Sequence, residues 1–148
     1  MPRIRLTETI PYTPDQVYGL IVDVESYPQF LPWCVSTRKF DVEEEQFIAE
    51  LTIAFKGIRQ SFQTIDRVIP GKQVDIHLKS GPFRHLTSHW RLTPQSNDST
   101  RIDFSIDFQF KSRIMNMTVG PVFTHAAKQM VAAFRSRAQA LYGSDAAS

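Results

Sequence analysis

Between Val35 and Phe110 apolar residues recur at every second position, and after Phe110 they recur at every third or fourth. Period two belongs to half-buried strands and period 3.6 to an amphipathic helix, so the chain must place a run of strands before one long helix. Phe47, Ala49, Leu51, Ile53 and Phe55 fall on one strand face, and Val74, Ile76 and Leu78 on another, opposite Asp75, His77 and Lys79. The plainest case sets Ile102, Phe104, Ile106, Phe108 and Phe110 against Arg101, Asp103, Ser105, Asp107 and Gln109. Turn signals fall between these runs at Lys56-Gly57, Pro70-Gly71, Gly81-Pro82 and Pro94 to Ser99. An earlier strand is carried by Ile4, Leu6 and Ile10. The spacing therefore predicts an antiparallel meander of about seven strands, one face buried and one wet.

Two helices frame the meander. Thr13-Pro14-Asp15 offers an N-cap with proline at the first helical position, followed by Val17, Tyr18, Leu20 and Ile21. Near the other end, Val119, Phe123, Ala126, Ala127, Met130, Phe134, Ala138 and Leu141 form an apolar stripe, with Ser112 as N-cap and Gly143 as C-cap. Counted from Arg113 to Tyr142 this helix would reach roughly 45 Å, with Pro121 kinking it from inside. A twisted antiparallel sheet and one long helix are expected to combine as an α+β fold in which the sheet curls around the helix. Where the two surfaces diverge an apolar cavity can open.

Asp23 to Cys34, DVESYPQFLPWC, does not fit either period. Pro28 and Pro32 each remove a backbone donor and push the preceding residue out of helical geometry, so no regular α-helix forms there. Tyr27, Phe30, Leu31 and Trp33 are nevertheless large and apolar, which on an irregular segment points to a wall or a docking surface. Phe83, after Gly81-Pro82, is a second apolar residue expected at an exposed hairpin tip. Two such sites could form one cavity mouth or enter a lipid interface together.

At 148 residues the chain is expected to be one domain over 1–143, with 144–148 as a disordered tail. One cysteine excludes an internal disulfide and points to a reducing compartment. A net charge of +2 permits weak attraction to anionic lipid or RNA, and no basic run with interleaved aromatics marks a DNA binder. No stretch reaches the roughly 20 apolar residues of a membrane span, so membrane contact would be peripheral.

Catalytic chemistry finds little footing. His85 and His89 are four apart, which on a strand separates them by roughly 13 Å, too far to share a zinc ion. Cys34 has no activating neighbour, Glu43 to Glu45 fits a solvated hairpin tip, and no glycine-rich phosphate loop exists. The expectation is a binding protein with no catalytic residues and no metal.

Four stretches carry a family resemblance: VDVESYPQFLPWC (Val22–Cys34), SGPFRHLTSHWRL (Ser80–Leu92), FSIDFQFKS (Phe104–Ser112) and MVAAFRSRAQALYG (Met130–Gly143). Together they resemble the coenzyme Q-binding protein family of the START-like, or polyketide cyclase/dehydrase-like, superfamily. The resemblance implies a helix-grip fold, a curved antiparallel sheet of about seven strands around a long C-terminal helix. It implies non-catalytic binding of ubiquinone or a related isoprenoid lipid in a hydrophobic tunnel, in support of respiratory electron transfer, with no cofactor besides that lipid. By position, Tyr27, Phe30, Leu31, Pro32 and Trp33 would form the entrance. Phe83, Leu86 and Trp90 would line one side, and Val119, Phe123, Met130 and Phe134 the helix wall. The absence of a mitochondrial leader before the domain implies a bacterial protein, cytoplasmic and peripherally attached to the inner membrane. The same family includes members resembling ribosome-associated toxins, which implies an alternative partner, the large ribosomal subunit, met through surface residues such as Lys56, Arg59, Arg84, Lys111 and Arg113. A third possibility, a small enzyme acting on aromatic or polyketide substrates, follows from the many functions this fold hosts.

Overall fold

The computed structural model describes residues 3–55 and 57–143, so the expected tail at 144–148 lies outside the described residues. Seven strands form one antiparallel sheet: β1 (Arg3–Ile10), β2 (Cys34–Phe40), β3 (Gln46–Phe55), β4 (Ile58–Ile69), β5 (Gln73–Ser80), β6 (Phe83–Gln95) and β7 (Ser99–Phe110). Their order is β1-β7-β6-β5-β4-β3-β2, so only β1 stands out of sequence. After β1 the chain forms α1 (Pro14–Val22) and a 3₁₀ segment (Val24–Gln29), and reaches the far edge at β2 before the meander returns to β7. Thr13 caps α1 as the sequence predicts. Its hydroxyl accepts from Gln16 N at 3.2 Å while Gln16 Oε1 accepts from Thr13 N at 2.9 Å.

The sheet bends because three bulges insert single residues at one of its ends. Register shifts isolate Val35 on β2, Lys79 on β5 and Arg84 on β6. A bulge increases the local right-handed twist, and three at a common end curl that end inward. Gly81 completes the bend. Its φ is 143°, and a Cβ there would lie 2.4 Å from Cβ of Phe62. The concave face is lined by the in-phase residues of every strand, among them Phe47, Phe62, Val74, Trp90, Phe104 and Phe108, all buried.

The long C-terminal helix is three helices. α2 (Arg113–Thr118), α3 (Gly120–Lys128) and α4 (Met130–Tyr142) are separated at Val119 and Gln129. The first break has the expected cause, because Pro121 cannot donate and its ring crowds the preceding turn. It falls before the proline rather than at it. The second break has no proline or glycine. Gln129 sits at φ −95° and ψ 2°, and its N–H is shared between the carbonyls of His125 and Ala126 at 3.2 and 3.1 Å. That tightened turn ends one helix and re-aims the next, so that α3 places Phe123, and α4 Phe134, in the buried core.

Both ends of this helical stretch are tied down. Ser112 accepts from Met115 N at 3.2 Å, and the Asn116 side chain accepts from Phe110 N at 2.9 Å and donates to Phe110 O at 3.0 Å. Gly143 ends α4 at φ 91°, its N–H bonding to Gln139 O, and its carbonyl accepts from Tyr12 Oη at 2.8 Å. Replacing Gly81 with alanine should cost at least about 2 kcal/mol, since the new methyl meets both a strained φ and the Phe62 side chain. Urea unfolding of Gly81→Ala against the parent measures it; an unchanged midpoint would mean that the bend does not need glycine.

Candidate functional site

Between the concave sheet and the helices lies an apolar cavity of about 80 Å³. Eight of the residues named from the sequence meet there: Tyr27 and Leu31 from the 3₁₀ segment and its exit, Trp33, Leu86 and Trp90, and Phe123, Met130 and Phe134. Phe134 sits at the centre, with ring centroids 5.5 Å from Tyr27, 5.1 Å from Phe30 and 4.9 Å from Trp90.

A second hollow of about 270 Å³ opens on the outside of this wall. It is lined by Phe30, Pro32 and Phe55 on one side and Val122, Ala126 and Ala133 on the other. Leu31 and Trp33 belong to both linings, so they form the partition between groove and cavity. Trp33 stacks on Phe55 at 6.3 Å and meets Phe123 edge-on at 6.2 Å, while its carbonyl accepts from Ala54 N at 2.9 Å. Its backbone is thus fixed to the sheet edge while the indole stays half-buried.

Two expected residues lie elsewhere. Phe83 is not at an exposed tip: it is 1% exposed, stacked on Phe110 at 4.6 Å and edge-on to Phe62 at 5.1 Å. The Arg84 bulge beside it accounts for this, because Arg84 faces solvent while Phe83 turns inward beneath the hairpin. Val119 is buried at the α2–α3 break and lines neither hollow. Phe30 and Pro32 face the groove rather than the cavity.

The cavity also holds polar groups. Thr64, Asp66 and Ser88 lie on its wall, each buried, and Asp66 is only 3% exposed. Burial pushes the Asp66 carboxyl up to about 6, against the opposing pull of a 2.6 Å hydrogen bond from Thr64 Oγ1 and the charge of Lys39. The alternation of β4 could have revealed it: Asp66 is in phase with Phe62 and Thr64, an acid on the apolar face. Tyr27 is no free donor, because its hydroxyl donates to the carbonyl of Ile21, and burial raises its pKa well above the ordinary phenol value. Cys34 is buried, its thiol pushed up to about 12 by desolvation, so it stays a protonated core residue.

His77, His85 and His89 are on the other face of the sheet, and His125, on α3, lines the outer groove. His85 bonds Asp107 at 3.0 Å and His89 bonds Asp75 at 2.7 Å, and among the described residues no three His, Cys, Asp or Glu side chains gather to hold a metal. The His85 hydrogen bond is the main reason that the Asp107 carboxyl lies below its ordinary range.

One end of the molecule is basic and apolar together. The β3–β4 turn, the β5–β6 turn and the exit of β7 share it, which brings Arg59, Arg84, Lys111 and Arg113 to one end, all exposed and outside any ion pair among the described residues. Lys56 lies outside the described residues. On α2, Ile114 and Met117 are 71% and 72% exposed and one helical turn apart. No described helix is long and apolar enough to cross a membrane.

A curved sheet gripping a helix around an apolar hollow defines the START-like class of folds. The chain belongs to the family described as polyketide cyclase / dehydrase and lipid transport, whose pattern it matches over residues 10–135. The ribosome association toxin RatA of Escherichia coli is 37% identical over 96% of this chain and 90% of its own length. Coenzyme Q-binding protein COQ10 homolog B of Xenopus laevis is 31% identical over 95% of this chain and 60% of that protein. The solution structure of the 18 kDa protein CC1736 from Caulobacter crescentus is 37% identical, covers 97% of this chain and all of that one, and superposes with a TM-score of 0.75.

The raised Asp66 carboxyl has a consequence for stability. The folded state binds the proton up to about pH 6 while the unfolded chain releases it near 4, so this group withdraws stability as pH rises through that window. Asp66→Asn should remove a pH-dependent loss on the order of 3 kcal/mol between pH 4 and 7. Urea unfolding of both proteins across that range measures the difference, and parallel profiles would mean that the carboxyl is not held in a desolvated site.

Proposed function

We propose that this protein binds ubiquinone or a closely related isoprenoid lipid without transforming it, in support of respiratory electron transfer. The observation that carries this reading is the pairing of an apolar cavity with an outer apolar groove that share Leu31 and Trp33 in their linings. At about 80 Å³ the cavity alone is smaller than the roughly 150 Å³ hollow that admits benzene. Joined to the groove by a swing of the Trp33 indole, it reaches the lower end of the roughly 300–1,000 Å³ range of ligand sites. Each apolar Å² that a prenyl tail buries contributes about 25 cal/mol, enough for micromolar affinity after association costs. A catalytic role finds no support in the lining, whose ionisable groups are Asp66 and the internally bonded Tyr27 in the cavity and His125 alone in the groove. Attachment is peripheral, through α2: Ile114 and Met117 enter the lipid interface and Lys111 and Arg113 meet anionic headgroups.

Decylubiquinone titrated against the fluorescence of Trp33 and Trp90, the two tryptophans, tests this directly. Trp33→Ser, at a half-buried position, and Ala126→Trp, which fills the groove, should each weaken binding at least about tenfold with little change in unfolding midpoint. Equal binding by all three proteins would remove the groove and partition from the path.

The second reading, association with the large ribosomal subunit, is favoured by the near full-length similarity to RatA and by the basic end of the sheet. It uses the surface rather than the cavity. With four phosphate contacts, co-sedimentation with large subunits should weaken on the order of 50-fold between 50 and 200 mM salt. Arg84→Glu with Arg113→Glu should abolish it while leaving decylubiquinone binding intact. Salt-insensitive pelleting, or none at low salt, would set this reading aside.

A further inference from the structure

Every hydroxyl proton on the cavity wall is already spent inside the protein. Tyr27 donates to Ile21 O, Ser88 donates to Ser105 O at 2.8 Å, and Thr64 donates to Asp66 Oδ1 at 2.6 Å. Asp66 Oδ2 has no hydrogen-bond partner among the described residues, and the side chain is 3% exposed on the cavity wall. A buried carboxyl in that position can offer the cavity a proton only by carrying one itself. We infer that protonated Asp66 is the recognition point for a carbonyl oxygen on an otherwise apolar ligand, so that binding such a ligand takes up a proton. This rests on the lipid-binding reading and adds to it the atom that a ligand's polar end meets.

The surroundings favour the neutral acid. From β3, β5, β6 and α4 the facing cavity residues are Leu51, Ile76, Trp90, Met130 and Phe134, none of which titrates. The titratable groups nearby are Tyr27, Cys34 and Lys39. Tyr27 and Cys34 stay uncharged through the neutral range because burial raises both. Lys39, on β2, favours the carboxylate, but its ammonium donates to Val22 O at 2.9 Å and sits over the Phe47 ring at 4.3 Å. A ligand that closes the cavity withdraws the remaining water and holds the proton more firmly. The indole N–H groups of Trp33 and Trp90 are further donors, but they do not titrate, so pH separates their contribution from that of the carboxyl.

Two probes with the same tail isolate the effect: decylubiquinone, which carries carbonyls, and decylbenzene, which carries none. Each is measured by displacement of the neutral fluorophore N-phenyl-1-naphthylamine between pH 5 and 8.5. Decylubiquinone affinity should fall as pH rises above about 6, by up to tenfold per unit, and by more in total than decylbenzene affinity, which loses only through desolvation of the carboxylate. Asp66→Asn keeps a donor and cannot titrate, so its decylubiquinone affinity should be flat and should exceed the parent's at pH 8. Asp66→Leu should bind the two probes with the same pH-independence. If wild-type affinity for decylubiquinone is level across the range, the carboxyl is not the recognition point although the cavity reading stands. If neither probe binds at any pH, both the cavity reading and this inference fall. Should the variants not fold, the wild-type contrast between the two probes decides alone.

Discussion

Phe134 is the point at which the three walls of the molecule meet. It reaches from α4 to Tyr27 and Phe30 of the Pro-rich segment and to Trp90 of the sheet, with ring centroids between 4.9 and 5.5 Å. Edge-to-face and tilted rings at such distances attract beyond their buried area, but they do not interlock as branched aliphatic chains do. The geometry therefore holds the helix inside the curved sheet while leaving space beside it. That space exists because the sheet is bent at one end by the Val35, Lys79 and Arg84 bulges. A flat sheet would meet the helix along its length and close the hollow.

The two functional readings differ in whether the cavity is used, and share the basic end of the sheet that carries Lys111 and Arg113. Lipid binding uses the concave side, where apolar walls surround one carboxyl, and ribosome association uses the exposed bases at one end of the sheet. Family membership accommodates both, since relatives named for ribosome association and for coenzyme Q binding align over nearly the whole chain.

Most of the fold was legible because alternation is a direct imprint of one buried face. The strand residues Ile102 to Phe110, the Thr13 cap and the terminal Gly143 read off without ambiguity. What stayed hidden depends on contacts between distant segments. A helical stripe runs through Gln129 without interruption, because the break there comes from a shared hydrogen bond and not from a residue type. Phe83 follows a Gly-Pro turn and so looks exposed, but a one-residue bulge turns it into the core. Asp66 could have been found as an acid in phase with Phe62, yet only the assembled sheet places it on a cavity wall. The sequence marks Leu31 and Trp33 as apolar residues on an irregular segment, but their role as a partition is defined by the hollows on either side.

The placement of β1 at the end of the strand order has a consequence for how the chain reaches this state. Arg3 pairs with Asp107 and Ile10 with Thr100, so the first strand has no partner until about a hundred residues later. Synthesis at about 5–20 residues per second leaves β1 waiting on the order of 5–20 seconds. The meander from β2 to β7 can form meanwhile by hairpin closure, each strand beside its predecessor. Only when β7 emerges does β1 find its edge, and only then can α4 be fastened, through the ion pair of Arg135 with Glu8 and the Tyr12–Gly143 bond. The hollow is thus completed last, when α4 is fastened against the sheet that β1 extends.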